Sequence, residues 1–188
     1  MTSFFALAPD EGAMRGLGAA LAGLLRPGDT VLLGGDLGAG KTTFTQGLAA
    51  ALGATGPVTS PTFVLVHSYR TSAGWDLLHA DVWRLEQLRE VVDLAIPELL
   101  EDGAAAVVEW GELAAPALPA DCLHVAIDFC PGPQGPGPEA GEPGAEGTRR
   151  LVFSAGGPSW EARMGALSAA VSEAVPGAVP ARGAWLQT

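Results

Sequence analysis

Gly35-Asp36-Leu37-Gly38-Ala39-Gly40-Lys41-Thr42 fits G-x-x-x-x-G-K-[ST], the pattern of a phosphate-binding loop, or P-loop. Before it, Thr30-Val31-Leu32-Leu33-Gly34 is a β-branched, apolar run that predicts a buried strand. After it, Phe44, Leu48, Ala51 and Leu52 recur at helical spacing and predict a helix over residues 41–52. Strand, glycine loop, helix is the context this loop needs. Glycines let successive backbone N–H groups turn inward and form an anion nest. The start of the helix adds partial positive charge at the same place. Lys41 then has the reach for the β- and γ-phosphates, and the Thr42 hydroxyl can ligate Mg²⁺. Lys41 is the only lysine in the chain; every other basic residue that is not histidine is arginine. A compact ammonium on a flexible stem suits phosphate, so its place here is informative.

Gly34-x-x-x-Gly38-x-Gly40 also overlaps a dinucleotide pattern of short-chain dehydrogenases. Those enzymes need Tyr-x-x-x-Lys, and Leu37 stands four places before the single lysine. That chemistry is missing.

The chain has 188 residues, 48% of them apolar, which predicts one domain with a sizeable core. No apolar run approaches the roughly 20 residues that span a bilayer, and the start lacks the pattern of a signal peptide. A cytoplasmic location with no membrane contact is expected. The net charge of −11 argues against a direct grip on nucleic acid, which draws on clustered Lys and Arg. Cys122 and Cys130 lie about 26 Å apart if the run between them is extended, too far to pair. Both read as buried small residues.

Residues 3–8 predict a first strand, and Asp10 an N-cap for a helix burying Met14, Leu17, Leu21 and Leu24. Residues 63–69 and 76–82 predict an antiparallel hairpin around Gly74. Residues 85–100 are helical in character, broken by Pro97. Residues 104–110, Ala-Ala-Ala-Val-Val-Glu-Trp, predict a central buried strand ending in an acid. Late strands are expected at 123–130 and 149–154, and one last helix at 159–175 with Trp160, Met164, Leu167 and Val171 on one face. In residues 131–147, eleven of 17 positions are Pro or Gly, which predicts a flexible insertion dispensable for chemistry. The expected organisation is one domain over residues 1–175 and a tail over 176–188.

Two acids stand out beside the loop. His79 and Asp81 share one face of a strand by its period of two. Glu109 ends an apolar run, where the acid of a nucleotide hydrolase sits. Thr59, Ser60 and Thr62 form a hydroxyl-rich loop that on pattern alone is a Ser-Pro turn. A His-x-Asp pair without a third ligand is a weak metal signal.

Together, residues 35–43, Val58-Thr-Ser-Pro-Thr-Phe63, His79-Ala-Asp-Val-Trp-Arg-Leu85 and Val108-Glu-Trp110 resemble the TsaE (YjeE-type) family in order and spacing. The resemblance covers roughly residues 10–130. It implies a single-domain P-loop NTPase fold, α/β, with a mixed parallel/antiparallel sheet flanked by helices. It implies an ATPase that uses Mg²⁺, is slow until engaged by TsaD with TsaB, and supports threonylcarbamoyladenosine formation at position 37 of tRNA. Contact with tRNA would come only through that complex. Carried over, the nucleotide contacts fall on Asp36, Gly38, Ala39, Gly40, Lys41, Thr42, Thr43 and Trp110. The metal positions fall on Thr42, Asp81 and Glu109, and the catalytic positions on Lys41, Asp81 and Glu109. Thr59, Ser60 and Thr62 resemble the family's switch-like loop. Trp83 stands where the family usually has Tyr, which removes a phenol. Nothing carries over to the insertion or the tail.

Three rival functions compete with this one. A small-molecule kinase would bring an Arg-bearing lid, and no Arg lies between Arg89 and Arg149. A GTPase would read guanine with Asn-Lys-x-Asp, and the chain has no asparagine. A nucleotide-binding regulatory module that barely turns over uses the same loop and stays open.

Overall fold

The computed structural model describes residues 2–61, 65–130, 147–178 and 185–186. Its frame is a mixed eight-stranded sheet with helices on both faces. In chain order the strands and helices are β1 (Ser3–Ala8), α1 (Glu11–Ala22), β2 (Thr30–Gly34), α2 (Lys41–Ala51), β3 (Val66–Arg70) and β4 (Asp76–Asp81). Then come α3 (Leu88–Val92), α4 (Ile96–Glu101), β5 (Ala105–Glu109), α5 (Gly111–Ala114), a 3₁₀ turn at Ala115–Ala117, and β6 (Leu123–Phe129). The chain closes with β7 (Arg149–Ala155), α6 (Pro158–Glu161), α7 (Met164–Ala174) and β8 (Trp185–Leu186).

The spatial order is β3-β4-β5-β2-β6-β7-β1-β8. Strands β4, β5, β2 and β6 run parallel at the centre. Strands β3, β7, β1 and β8 add antiparallel flanks. Central strands are buried on both faces, which is why they read as near-continuous apolar runs. In β5, Ala105 and Val107 join one core and Ala106 and Val108 the other. The first core holds α1, α2 and α7 through Leu17, Phe44 and Leu167; the second holds α3, α4 and α5 through Val91, Ile96 and Ala114.

Helices α1 and α2 cross at backbone contact. A Cβ on Gly18 would lie 2.1 Å from the Phe44 carbonyl oxygen, and one on Gly47 2.0 Å from that of Arg15. Only glycine fits there. The crossing fixes α2, and so the loop that opens it, against the rest of the domain.

Several expectations are corrected. The helical stretch at 85–100 is two short helices. Pro97 lies in the first turn of α4, where its missing N–H costs nothing. The break is upstream, at Ala95, whose φ is +53°. The single last helix is α6 and α7. Between them the Arg163 guanidinium bonds both oxygens of buried Asp29 at 2.5 and 2.8 Å and lies 3.8 Å over the Trp160 ring. Leu24 is half-buried, Ala51 is exposed, and Cys130 is half-buried while Cys122 is buried. Past residue 175 the chain continues the fold. Ala178 is buried and its carbonyl accepts from Leu7 N at 2.8 Å, and β8 pairs with β1. The expected insertion falls outside the described residues except for Gly147, and the expected strand at 63–69 is described only from residue 65. Among the described residues, no helix is long and apolar enough to cross a membrane.

Candidate functional site

The site forms at the C-terminal ends of the parallel strands, where β2 runs into the glycine loop. Three loop glycines have positive φ: Gly35 at +129°, Gly38 at +79° and Gly40 at +110°. Gly35 also lies against β6, since a Cβ there would sit 2.2 Å from the Ile127 carbonyl oxygen. Asp36, Leu37 and Gly38 are exposed at the loop tip, and Ala39 is buried beneath it. Lys41, the first residue of α2, folds back into the loop. Its ammonium donates to the Gly35 and Asp36 carbonyls at 2.6 and 2.9 Å and lies 3.8 Å over the Trp110 ring. Burial lowers the ammonium pKa, and the charges of Glu109, Asp81, Asp36 and Glu112 pull it up without cancelling that effect.

The acids arrive by sheet register. β2 and β4 both flank β5, with Leu33 and Asp81 each beside Glu109. Glu109 is 3% exposed, and its Oε1 accepts from the Thr42 hydroxyl at 2.8 Å. That bond joins the glycine-loop helix to the acid-ended strand. Asp81, paired in register with Glu109, is buried and has other partners. It accepts from the Ser60 hydroxyl at 2.7 Å and from Trp83 N at 3.1 Å.

Trp110 follows Glu109 directly with φ +60°, a left-handed turn that carries its indole back across Lys41. Trp83, half-exposed, packs against it with centroids 4.6 Å apart. The aromatic body expected at position 83 is therefore in use as a ring. Thr43 is half-buried and lines a hollow of about 70 Å³ with Asp10, Met14, Gly40 and Arg149. Thr59 is exposed, and Thr62 lies outside the described residues. A wider hollow of about 440 Å³, lined by Val66, Trp75, Leu78 and Leu99, shares no residue with this site.

So Lys41, Thr42, Glu109 and Trp110 meet directly, and Asp81 and Ser60 form a pair beside them. One neighbour was read without its partner, and one escaped the sequence reading. His79 bonds Glu109, not Asp81, with Nε2 2.8 Å from Oε1. Glu112 brings its carboxylate to within 2.9 Å of the Cβ position of Gly34. Strand parity pointed to His79; only the register shows which acid it meets.

A family model for the threonylcarbamoyl adenosine biosynthesis protein TsaE matches residues 8–131. The chain belongs to the TsaE family. A TsaE protein of Streptomyces coelicolor is 49% identical over 117 residues, covering 61% of this chain and 78% of the relative. One from Haemophilus influenzae is 36% identical over 134 residues, covering 69% and 84%. Among solved structures, YdiB of Bacillus subtilis superposes with a TM-score of 0.67 at 29% identity, over 90% of this chain and 97% of that one. The TsaE match spans the loop, both acids, Trp83 and Trp110; β7, α6, α7 and β8 lie beyond it.

Proposed function

We propose that this TsaE-family chain is a Mg²⁺-dependent ATPase with a P-loop NTPase fold, acting in the cytoplasm in threonylcarbamoyladenosine biosynthesis on tRNA. The observation that carries the reading is the 2.8 Å bond from Thr42 to Glu109 beside a glycine loop that holds Lys41. Named relatives in the same biosynthesis support the pathway. The acidic charge of −11 supports contact with tRNA through TsaD and TsaB rather than directly.

The chain's own parts divide the work. Backbone N–H groups of residues 38–43 and the start of α2 receive the phosphates. Lys41 exchanges two loop carbonyls and the Trp110 ring for phosphate oxygens. Trp110 borders the nucleotide. The Thr42 hydroxyl offers its lone pairs to a cation while its O–H donates to Glu109. Glu109 orients the attacking water and takes its proton, and Asp81 with Ser60 ties the 58–61 loop to the sheet edge. Thr42, Glu109 and Asp81 are hard oxygen donors, which suits Mg²⁺. No group of three or more His, Cys, Asp or Glu side chains forms a metal cage among the described residues. A cation held by one or two protein oxygens and the phosphates fits that set. When bound, Mg²⁺ supplies charge neutralisation on the transferring phosphoryl group.

The test is ATP hydrolysis by the protein alone and with TsaB and TsaD, with Lys41→Ala as the blank. Partner-stimulated hydrolysis, lost in Lys41→Ala and in EDTA, is expected. Glu109→Gln should keep ATP binding and lose roughly 100-fold or more in turnover. Normal turnover in that variant would mean that Glu109 neither orients the water nor takes its proton. Tight binding with slow hydrolysis that ignores the partners would favour a regulatory module.

A further inference from the structure

His79 lies in the middle of β4, with none of its surface exposed. The parallel register sets it beside Val107 and diagonal to Glu109 on the same sheet face. Its Nε2 is 2.8 Å from Glu109 Oε1, the oxygen that also accepts from Thr42. Its Nδ1 is fully buried and has no partner among the described residues. The cross-strand neighbour His67 is engaged elsewhere, its Nδ1 3.3 Å from the Tyr69 hydroxyl.

This pattern separates two roles. A histidine kept to stabilise a core has both nitrogens satisfied, because a buried orphan is destabilising. Here one nitrogen is left bare and the other is engaged by the acid of the site. An unpaired buried N–H is the less favourable orphan, so the ring hydrogen sits on Nε2 and Nδ1 keeps a lone pair. His79 is then a donor to Glu109. Both described hydrogen bonds to that carboxylate fall on Oε1, which leaves Oε2 without one among the described residues.

We propose that His79 is a positioning residue. It locks the Glu109 carboxylate by one oxygen, so that the other is aimed while Thr42 engages the cation. Glutamate has three rotatable side-chain bonds, and the Thr42 hydroxyl alone is a mobile tether. A rigid ring packed in the sheet removes that freedom before substrate arrives, as outer partners of metal-site ligands do.

The proposal rests on the hydrolysis reading above, so its test has one arm that needs no turnover. In the nucleotide-free protein labelled with ¹⁵N-histidine, long-range proton–nitrogen spectra report the tautomer of each of the three histidines. His79 is expected to carry its hydrogen on Nε2, and its signals should move in Glu109→Gln while those of His124 stay. A hydrogen on Nδ1, or no response to Glu109→Gln, overturns the proposal. In the second arm, His79→Leu with TsaB and TsaD should lose roughly 10- to 100-fold in kcat with little change in ATP affinity. His79→Gln, whose amide keeps an N–H at similar reach, should recover most of that loss. A Leu variant at wild-type rate, or a Gln variant no better than Leu, sinks it. If Leu fails to fold, Gln against wild type and the spectra decide. If the wild type hydrolyses no ATP with its partners, the functional reading falls, while the spectra still decide whether His79 holds Glu109.

Discussion

At the scale of single residues, the loop glycines do different work and predict different costs. At Gly38 φ is +79° but, among the described residues beyond its chain neighbours, no atom lies within 4 Å of a Cβ, so Gly38→Ala carries conformational strain alone, about 1–2 kcal/mol. At Gly35 φ is +129° and a Cβ would strike the Ile127 carbonyl. Gly35→Ala is expected to cost roughly 3 kcal/mol or more. Urea melts of the two variants check the contrast; equal costs would mean β6 yields to the loop. The same residues show what was legible. Lys41, Thr42 and Glu109 were readable because their chemistry is written in local pattern: a glycine spacing, a lone lysine, an acid ending an apolar strand. The His79–Glu109 bond was not. Parity put His79 on the face of Asp81, but the sequence holds no record of which strand lies beside β4 or in what register. Glu112 was unreadable for the same reason, since it meets Gly34 only once α5 turns back over β2.

At the scale of elements, periodicity marked nearly every strand, and the exceptions have physical causes. The last helix read as continuous because Trp160, Met164, Leu167 and Val171 do share one core. It is interrupted by a turn at residues 162–163, where Arg163 keeps a right-handed backbone and its side chain bonds Asp29, a tertiary contact with no local trace. Such a short helix as α6 depends on its cap. Asp121 accepts from Ser159 N at 3.0 Å and from Trp160 N at 3.4 Å. Desolvation raises the Asp121 pKa, but these hydrogen bonds and the Arg163 charge outweigh it, so the net shift is downward from 3.8. A lowered carboxyl stabilises the fold above its unfolded value and loses that contribution as pH falls through the folded one. Asp121→Ala should therefore cost about 1 kcal/mol at neutral pH. The gap to wild type should shrink as pH drops below 3.8, read from denaturant melts across the acid range. A gap that stays constant with pH would mean that the carboxylate charge is not what caps α6.

At the scale of the whole molecule, the reach of the family match and the reach of the fold differ. The match ends at residue 131, yet β7 covers β6, and Phe153, Trp160, Met164, Leu167 and Val171 complete the core against α1 and α2. A chain cut to residues 1–131 should be insoluble or melt without cooperativity, checked by solubility and circular dichroism. Removing residues 132–146 and closing the hairpin with a short turn should leave ATP use nearly intact, because Cys130 N already bonds the Thr148 carbonyl at 2.9 Å. A large loss of activity there would make the segment part of an interface. The sheet order carries one more consequence, and it concerns time. Ser3 pairs with Ser154, so the first strand made finds its place only when one of the last emerges. At roughly 5–20 residues per second on the ribosome, β1 waits on the order of ten seconds, with Phe4 and Phe153 unable to stack. During that interval β2, β5 and β6 have been made, but the core behind the glycine loop is still missing Phe153, Trp160 and Leu167. The apparatus for phosphate thus waits on strands made long after it, and the first strand is the part most exposed to going astray.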